Sequence, residues 1–104
     1  MKKIYLSVPY TADPELGFIN ANKLAAQIML QGNVVFSPIS HSHPIAIQET
    51  LPNTHKFWMQ QDLPFIEFCD ELYVLQLPGW ETSLGVQKEI ECAKQLGKPI
   101  TYIK

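Results

Sequence analysis

No run of apolar residues in this chain approaches the ~20 that a membrane-spanning helix needs, so no membrane partner is expected. Basic charge is scarce as well. Lysine and arginine number 8 against 10 Asp and Glu, for a net charge of -2. With no basic face in evidence, a nucleic-acid polymer is not the expected partner. Cysteine is limited to Cys69 and Cys92, both in segments that read as helical. The first residues, "MKKIYLSVPY", carry two lysines and a short apolar run, but polar residues interrupt it before a signal-peptide h-region forms. The two thiols therefore read as buried and unpaired, in a reducing, cytoplasmic setting. No repeat or low-complexity segment stands out.

What is present suits one folded domain over 1–104. Hydrophobic residues make up 46% and charged residues 17%, enough to build a core and too mixed for a disordered chain. "KKIYLSV" (2–8) reads as a strand. At "DPE" (13–15) Asp13 can cap a helix, Pro14 fits its first turn and Glu15 suits its dipole. That helix runs to Gln31 with a polar stripe of Asn20, Lys23, Gln27 and Gln31, and stops at Gly32. "NVVFSPI" (33–39) is a second strand. "SHSHPIAIQETLPN" (40–53), with two prolines, reads as a long connection. A helix follows from Thr54 to about Cys69, and Pro64 inside it predicts a kink or restart near Asp62. "ELYVLQL" (71–77), a helix over 83–96 and "PITYIK" (99–104) complete the chain.

Strands alternating with helices predict an α/β fold, a three-layer flavodoxin-like or Rossmann-like domain. Its four-stranded parallel sheet has the expected order 2-1-3-4, flanked by helices. Such sheets place ligands beyond the carboxyl ends of their strands. Those ends are "VPYT" (8–11), "SPISHSHP" (37–44) and "LPGWETS" (77–83), which hold most of the loop Pro, His, Ser and aromatic residues. Pro9, Tyr10, His41, His43 and Trp80 are thereby candidate ligand contacts; the aromatics Tyr10 and Trp80 would equally suit a plug at the core edge or a subunit contact. His41 and His43 alternate in what reads as an extended loop and would point the same way. Two such residues do not make a metal site, and no metal or cofactor is expected. Trp58 and Phe57 read as core or interface residues, His55 as a helix-surface residue and Asp70 as a helix cap.

One residue breaks the pattern of its helix. At ~100° per residue, Val86, Ile90, Ala93 and Gly97 share one sector, with Leu96 beside it. Glu89 falls between Leu96 and that sector, so it faces the sheet or its rim. An unpaired buried carboxylate is costly. Glu89 is either a reactive group with a shifted pKa or a rim side chain that reaches water. Ser83, at the expected N-cap, and Gly85, in the first turn, suit an anion or a ligand that approaches the backbone. Capping alone is the commoner role for a residue placed like Ser83.

These stretches resemble a known superfamily. "KIYLSVPY", Asp62, "CDELYVL" and "SLGVQKEIECAKQLGKP" look like the nucleoside 2-deoxyribosyltransferases, including their hydrolytic branch, the nucleotide N-glycosidases. "VFSPISHSHPI", "LPGW" and "SLGVQKEIE" resemble more narrowly a small bacterial and phage family within it. The resemblance implies that Glu89 is the nucleophile, Asp62 the acid or orienting group at the leaving base, and Tyr5 the residue that positions Glu89. It implies that Ser83 and Gly85 hold a 5′-phosphate or 5′-hydroxyl. Phosphate-selective members carry Gly, Ser and Arg after the first strand; "VPYT" has no arginine, so a phosphate preference is not implied. The expected activity is cleavage or transfer of the N-glycosidic bond of a nucleoside or nucleotide by a homo-oligomer. The alternatives are a non-catalytic nucleotide-binding module and a glycohydrolase of nicotinamide dinucleotide.

Overall fold

In the computed structural model, which describes residues 1–104, the first strand β1 spans Lys3–Ser7 and the helix α1 spans Pro14–Leu30. Strand β2 is Val34–Phe36, followed by helices α2 (Pro38–Gln48) and α3 (His55–Phe68). Strand β3 is Glu71–Leu75, a short 3-10 turn covers Trp80–Thr82, helix α4 is Leu84–Gln95 and strand β4 is Ile100–Ile103. The four strands form one parallel sheet in the order β2-β1-β3-β4, as expected. No helix is long and apolar enough to cross a membrane. Both cysteines are unbridged; Cys69 is buried and Cys92 half-buried.

The period of two along β1 divides the core between the sheet's faces. Ile4 and Leu6 pack with Ala21, Ala25 and Ile28 of α1. Tyr5, between them, packs with Ile66 of α3 and with Val86, Ile90 and Ala93 of α4. Helices α1 and α2 thus cover one face and α3 and α4 the other. The Asp13 side chain accepts the Leu16 N–H at 3.1 Å and starts α1. Gly17 lets that helix reach the loop after β1: a Cβ there would sit 2.6 Å from the Pro9 carbonyl oxygen.

Two expectations fail. The connection expected over 40–53 is helical to Gln48, and β2 ends at Phe36. Pro38 occupies the first turn of α2, where its missing N–H costs nothing. Pro44 removes only the one donor that would reach the Ser40 carbonyl. The helix nevertheless holds, because it docks on α1 and buries Pro38 and His43. Likewise α3 continues through Pro64 and does not restart at Asp62. Its cap is Thr54, whose side chain accepts the Phe57 N–H at 3.2 Å. Asp62 is buried in mid-helix, with no capping role.

Candidate active site

A cavity of about 520 Å³ opens at the carboxyl ends of the strands, between the loop after β1, α2, α3 and the start of α4. The topology creates it: β1 is central and its chain leaves toward one face, while β3 feeds α4 on the other.

Glu89 lies on its wall and is only 4% exposed. The same alternation that points Tyr5 away from α1 points Ser7 the same way, and both meet Glu89. The Tyr5 hydroxyl donates to Glu89 Oε2 and the Ser7 hydroxyl to Oε1, at 2.7 Å for Ser7. No cation joins them. Burial pushes the Glu89 carboxyl up to about 8, against the two hydroxyls, which favour the anion, and with a further upward push from the Asp62 charge. Burial also lifts Asp62 to about 6. Both effects, with the Glu89 charge, raise the Tyr5 phenol well above its ordinary range.

The third buried acid shows the contrast. Glu71 accepts from Thr101 at 2.6 Å and from the Lys2 ammonium at 3.1 Å, and these hold its carboxyl below the usual range. Glu71 is thus stabilised as an anion, whereas Glu89 and Asp62 share one cavity without a counter-ion. The chain contains no arginine, and none of its lysines lines the cavity.

Around this pair the structure gathers most of the residues singled out from the sequence. Ser83 caps α4, accepting the Val86 N–H at 3.3 Å, and lines the cavity with Gly85. A Cβ on Gly85 would meet only Met59 Cε, at 3.7 Å, so no strand presses on it; its open side belongs to the cavity. Pro9, Tyr10 and His43 line the opposite wall.

Two candidates are not brought here. Because α2 is a helix, residues two apart diverge: His43 turns inward at 5% exposure, while His41 is exposed and lies against Phe36. The expected convergence of the two histidines is therefore corrected. Trp80 packs on the core under α3 and α4 and against Tyr102, with ring centroids 5.7 Å apart, and does not reach the cavity. No cluster of three His, Cys, Asp or Glu side chains forms that could hold a metal ion.

Other residues that line the cavity or hold Glu89 were missed. Trp58, read as core or interface, and His55 form part of the α3 wall. Ser7 was legible in principle, two positions after Tyr5 on the same strand. Asp70, read as a helix cap, instead accepts the Lys3 N–H at 2.8 Å.

The fold is that of the nucleoside 2-deoxyribosyltransferases. A 2-deoxyribosyltransferase from the psychrotolerant bacterium Bacillus psychrosaccharolyticus superposes with a TM-score of 0.72 at 24% identity, over 96% of this chain and 70% of that one. A 2-deoxyribosyltransferase from Leishmania mexicana superposes with a TM-score of 0.68 at 19% identity, over 98% of this chain and 63% of its own. No curated protein matches by sequence. The family model described as a domain of unknown function, DUF1937, matches residues 2–104, and the chain belongs to that family.

Proposed function

We propose that this protein cleaves or transfers the N-glycosidic bond of a nucleoside or nucleotide, with Glu89 as nucleophile. The observation that carries the reading is a buried carboxylate on the cavity wall, gripped by two hydroxyls and faced by a second acid with no cation between them. The fold it shares with 2-deoxyribosyltransferases supports the same class.

In the first step a Glu89 oxygen attacks C1′ as the bond from C1′ to the base nitrogen breaks. The base leaves with the electron pair and takes the proton from Asp62. Tyr5 and Ser7 hold the attacking oxygens in place and keep charge on the carboxylate. In the second step water or another base attacks C1′, Glu89 leaves as carboxylate, and the incoming nucleophile returns a proton to Asp62. Between about pH 6 and about pH 8 the pair holds one proton. The higher value belongs to Glu89, so the proton rests mainly there; reaction draws on the minor form with the proton on Asp62, which also removes the charge that burdens Glu89.

Gly85 and Ser83 at the start of α4 receive the sugar's 5′ end. The assembly is proposed to be a homo-oligomer: Leu84, at the cavity rim, is 71% exposed, and Phe68 on α3 is 69% exposed.

The test is incubation with a panel of nucleosides, their 5′-monophosphates and a nicotinamide dinucleotide, with released base followed by chromatography. Release that disappears in Glu89→Gln supports the reading, and undiminished turnover in that variant overturns it. Tight binding of a nucleotide with no release in the wild type would assign a binding module instead. That outcome has its own physical basis, since burial favours the protonated form of Glu89 near neutrality.

A further inference from the structure

The wall opposite Glu89 contains a chain of three side chains that the proposed chemistry leaves unused. Glu15, in the first turn of α1, lies 3.0 Å from Nε2 of His43 through its Oε1. Nδ1 of the same ring lies 2.6 Å from the Tyr10 hydroxyl. His43 is 5% exposed, and Phe18 lies over its ring with centroids 4.4 Å apart. Tyr10 and His43 line the cavity; the Glu15 side chain is 70% exposed, outside it.

We propose that Glu15 and His43 form a tautomer lock that leaves Tyr10 facing the cavity as a hydrogen-bond acceptor only, so that a ligand must bring a donor to this wall. A carboxylate accepts and does not donate, so Nε2 must carry the hydrogen that points at Glu15. In a neutral imidazole the other nitrogen is then a bare lone pair. Tyr10 supplies the missing hydrogen. Burial, with the Glu15 charge, raises its phenol above the ordinary range, so it keeps its proton to donate. With that proton committed to Nδ1, only the lone pairs of the Tyr10 oxygen remain for the cavity.

The consequence is selectivity. A site whose partly buried polar group finds no partner rejects a ligand far more strongly than one that loses an apolar contact. The donor that fits is a hydroxyl of a sugar or an exocyclic amino group of a base. A carbonyl or phosphate oxygen at the same place would confront another acceptor, with no lysine or arginine on the walls to relieve it. The identity of the ligand rests on the nucleoside reading above; the lock itself does not.

Two measurements test it. In ¹⁵N-labelled protein under mildly alkaline conditions, the His43 ring is expected to show a protonated Nε2 and a bare Nδ1. Glu15→Lys, on an exposed side chain, offers a donor in place of the acceptor and is expected to move the proton to Nδ1. Ligand binding is then measured in a Glu89→Gln background, to prevent turnover. The pairs are adenosine with inosine, cytidine with uridine, and a nucleoside with its 5′-deoxy analogue. The first two pairs test an amino donor and the third a sugar hydroxyl. In at least one pair the donor-bearing member is expected to bind tenfold or more tightly; Tyr10→Phe is expected to bring that ratio close to one, and Glu15→Lys, which frees the Tyr10 hydroxyl hydrogen to face the cavity, to bring it to one or below.

A ring protonated on Nδ1, or on both nitrogens, overturns the lock. A ratio untouched by Tyr10→Phe overturns the recognition, as does a loss of thermal stability with an unchanged ratio, which would make the three residues a staple and nothing more. If no nucleoside binds, the proposed function fails and the ring measurement still decides the lock.

Discussion

At Glu89 opposing influences act on one carboxyl. Burial and the Asp62 charge disfavour its anion; the Tyr5 and Ser7 hydroxyls favour it, and burial prevails. Because the pair holds one proton between about 6 and about 8, activity should follow a bell centred in that window. It falls at lower pH as both acids protonate and at higher pH as both ionise. A pH profile of base release checks this. Tyr5→Phe removes one of the groups that lower the Glu89 pKa. It should shift the alkaline limb upward and cut kcat/KM roughly tenfold, the equivalent of about one pKa unit. The same residue affects stability. Above its ordinary value of 4.5 the unfolded chain releases the Glu89 proton, while the folded protein holds it to about 8. The stabilising term is present at low pH and is lost as pH rises through that window. Glu89→Gln should therefore be inactive yet more stable than wild type, by at least about 1 kcal/mol at about pH 9 and by little at about pH 4. Thermal denaturation at both values measures it. Glu89 was legible because a helix repeats every ~100°, which places it among Leu96, Val86 and Ile90. Of its two partners only Tyr5 was expected, and that from the resemblance; Ser7 was not, because both lie more than 80 positions from Glu89 along the chain.

Among the elements, α1 and α2 carry the contrast between what local chemistry states and what packing decides. Asp13, Pro14 and Gly32 mark the ends of α1, and the helix lies where they put it. Gly17 inside it has a role only the fold explains. Alanine would bring its Cβ to 2.6 Å from the Pro9 carbonyl, and that atom is backbone. The helix-propensity gain of about 1 kcal/mol is opposed by an overpacking cost of about 1–3 kcal/mol. We predict that Gly17→Ala lowers stability and also weakens ligand binding, because Pro9 and Tyr10 line the cavity. Urea denaturation and a binding titration read the two effects. Helix α2 was hidden by its two prolines, Pro38 and Pro44, and by its polar run of Ser and His. Propensity alone does not make it helical; burial of Pro38 and His43 on α1 does.

For the molecule as a whole, strand order fixes where a ligand can sit. The central strand β1 delivers Tyr5 and Ser7 from below and Pro9 and Tyr10 from its end, while α4 brings Glu89, Ser83 and Gly85 from the other face. A ligand filling that cavity touches both layers, so it should stabilise the folded state as one unit. At a hundredfold excess over its Kd, a bound nucleoside is predicted to add about 2.7 kcal/mol, seen as a rise in Tm; a nucleoside that binds without raising Tm would place binding elsewhere. Sedimentation equilibrium tests the homo-oligomer, and a monomer at high concentration would refute it. The sequence by itself determined the alternation of strand and helix and the misplaced acid on α4, because period and capping are local and leave their mark on neighbouring residues; the strand order was expected only through the fold class which that alternation implies. Only the tertiary structure decided that α2 is a helix, that His41 and His43 part company, that Trp80 turns into the core, and that Ser7, Glu15 and Trp58 belong to the site or its support. Those outcomes depend on which surfaces meet across the sheet, and no stretch of chain carries that information on its own.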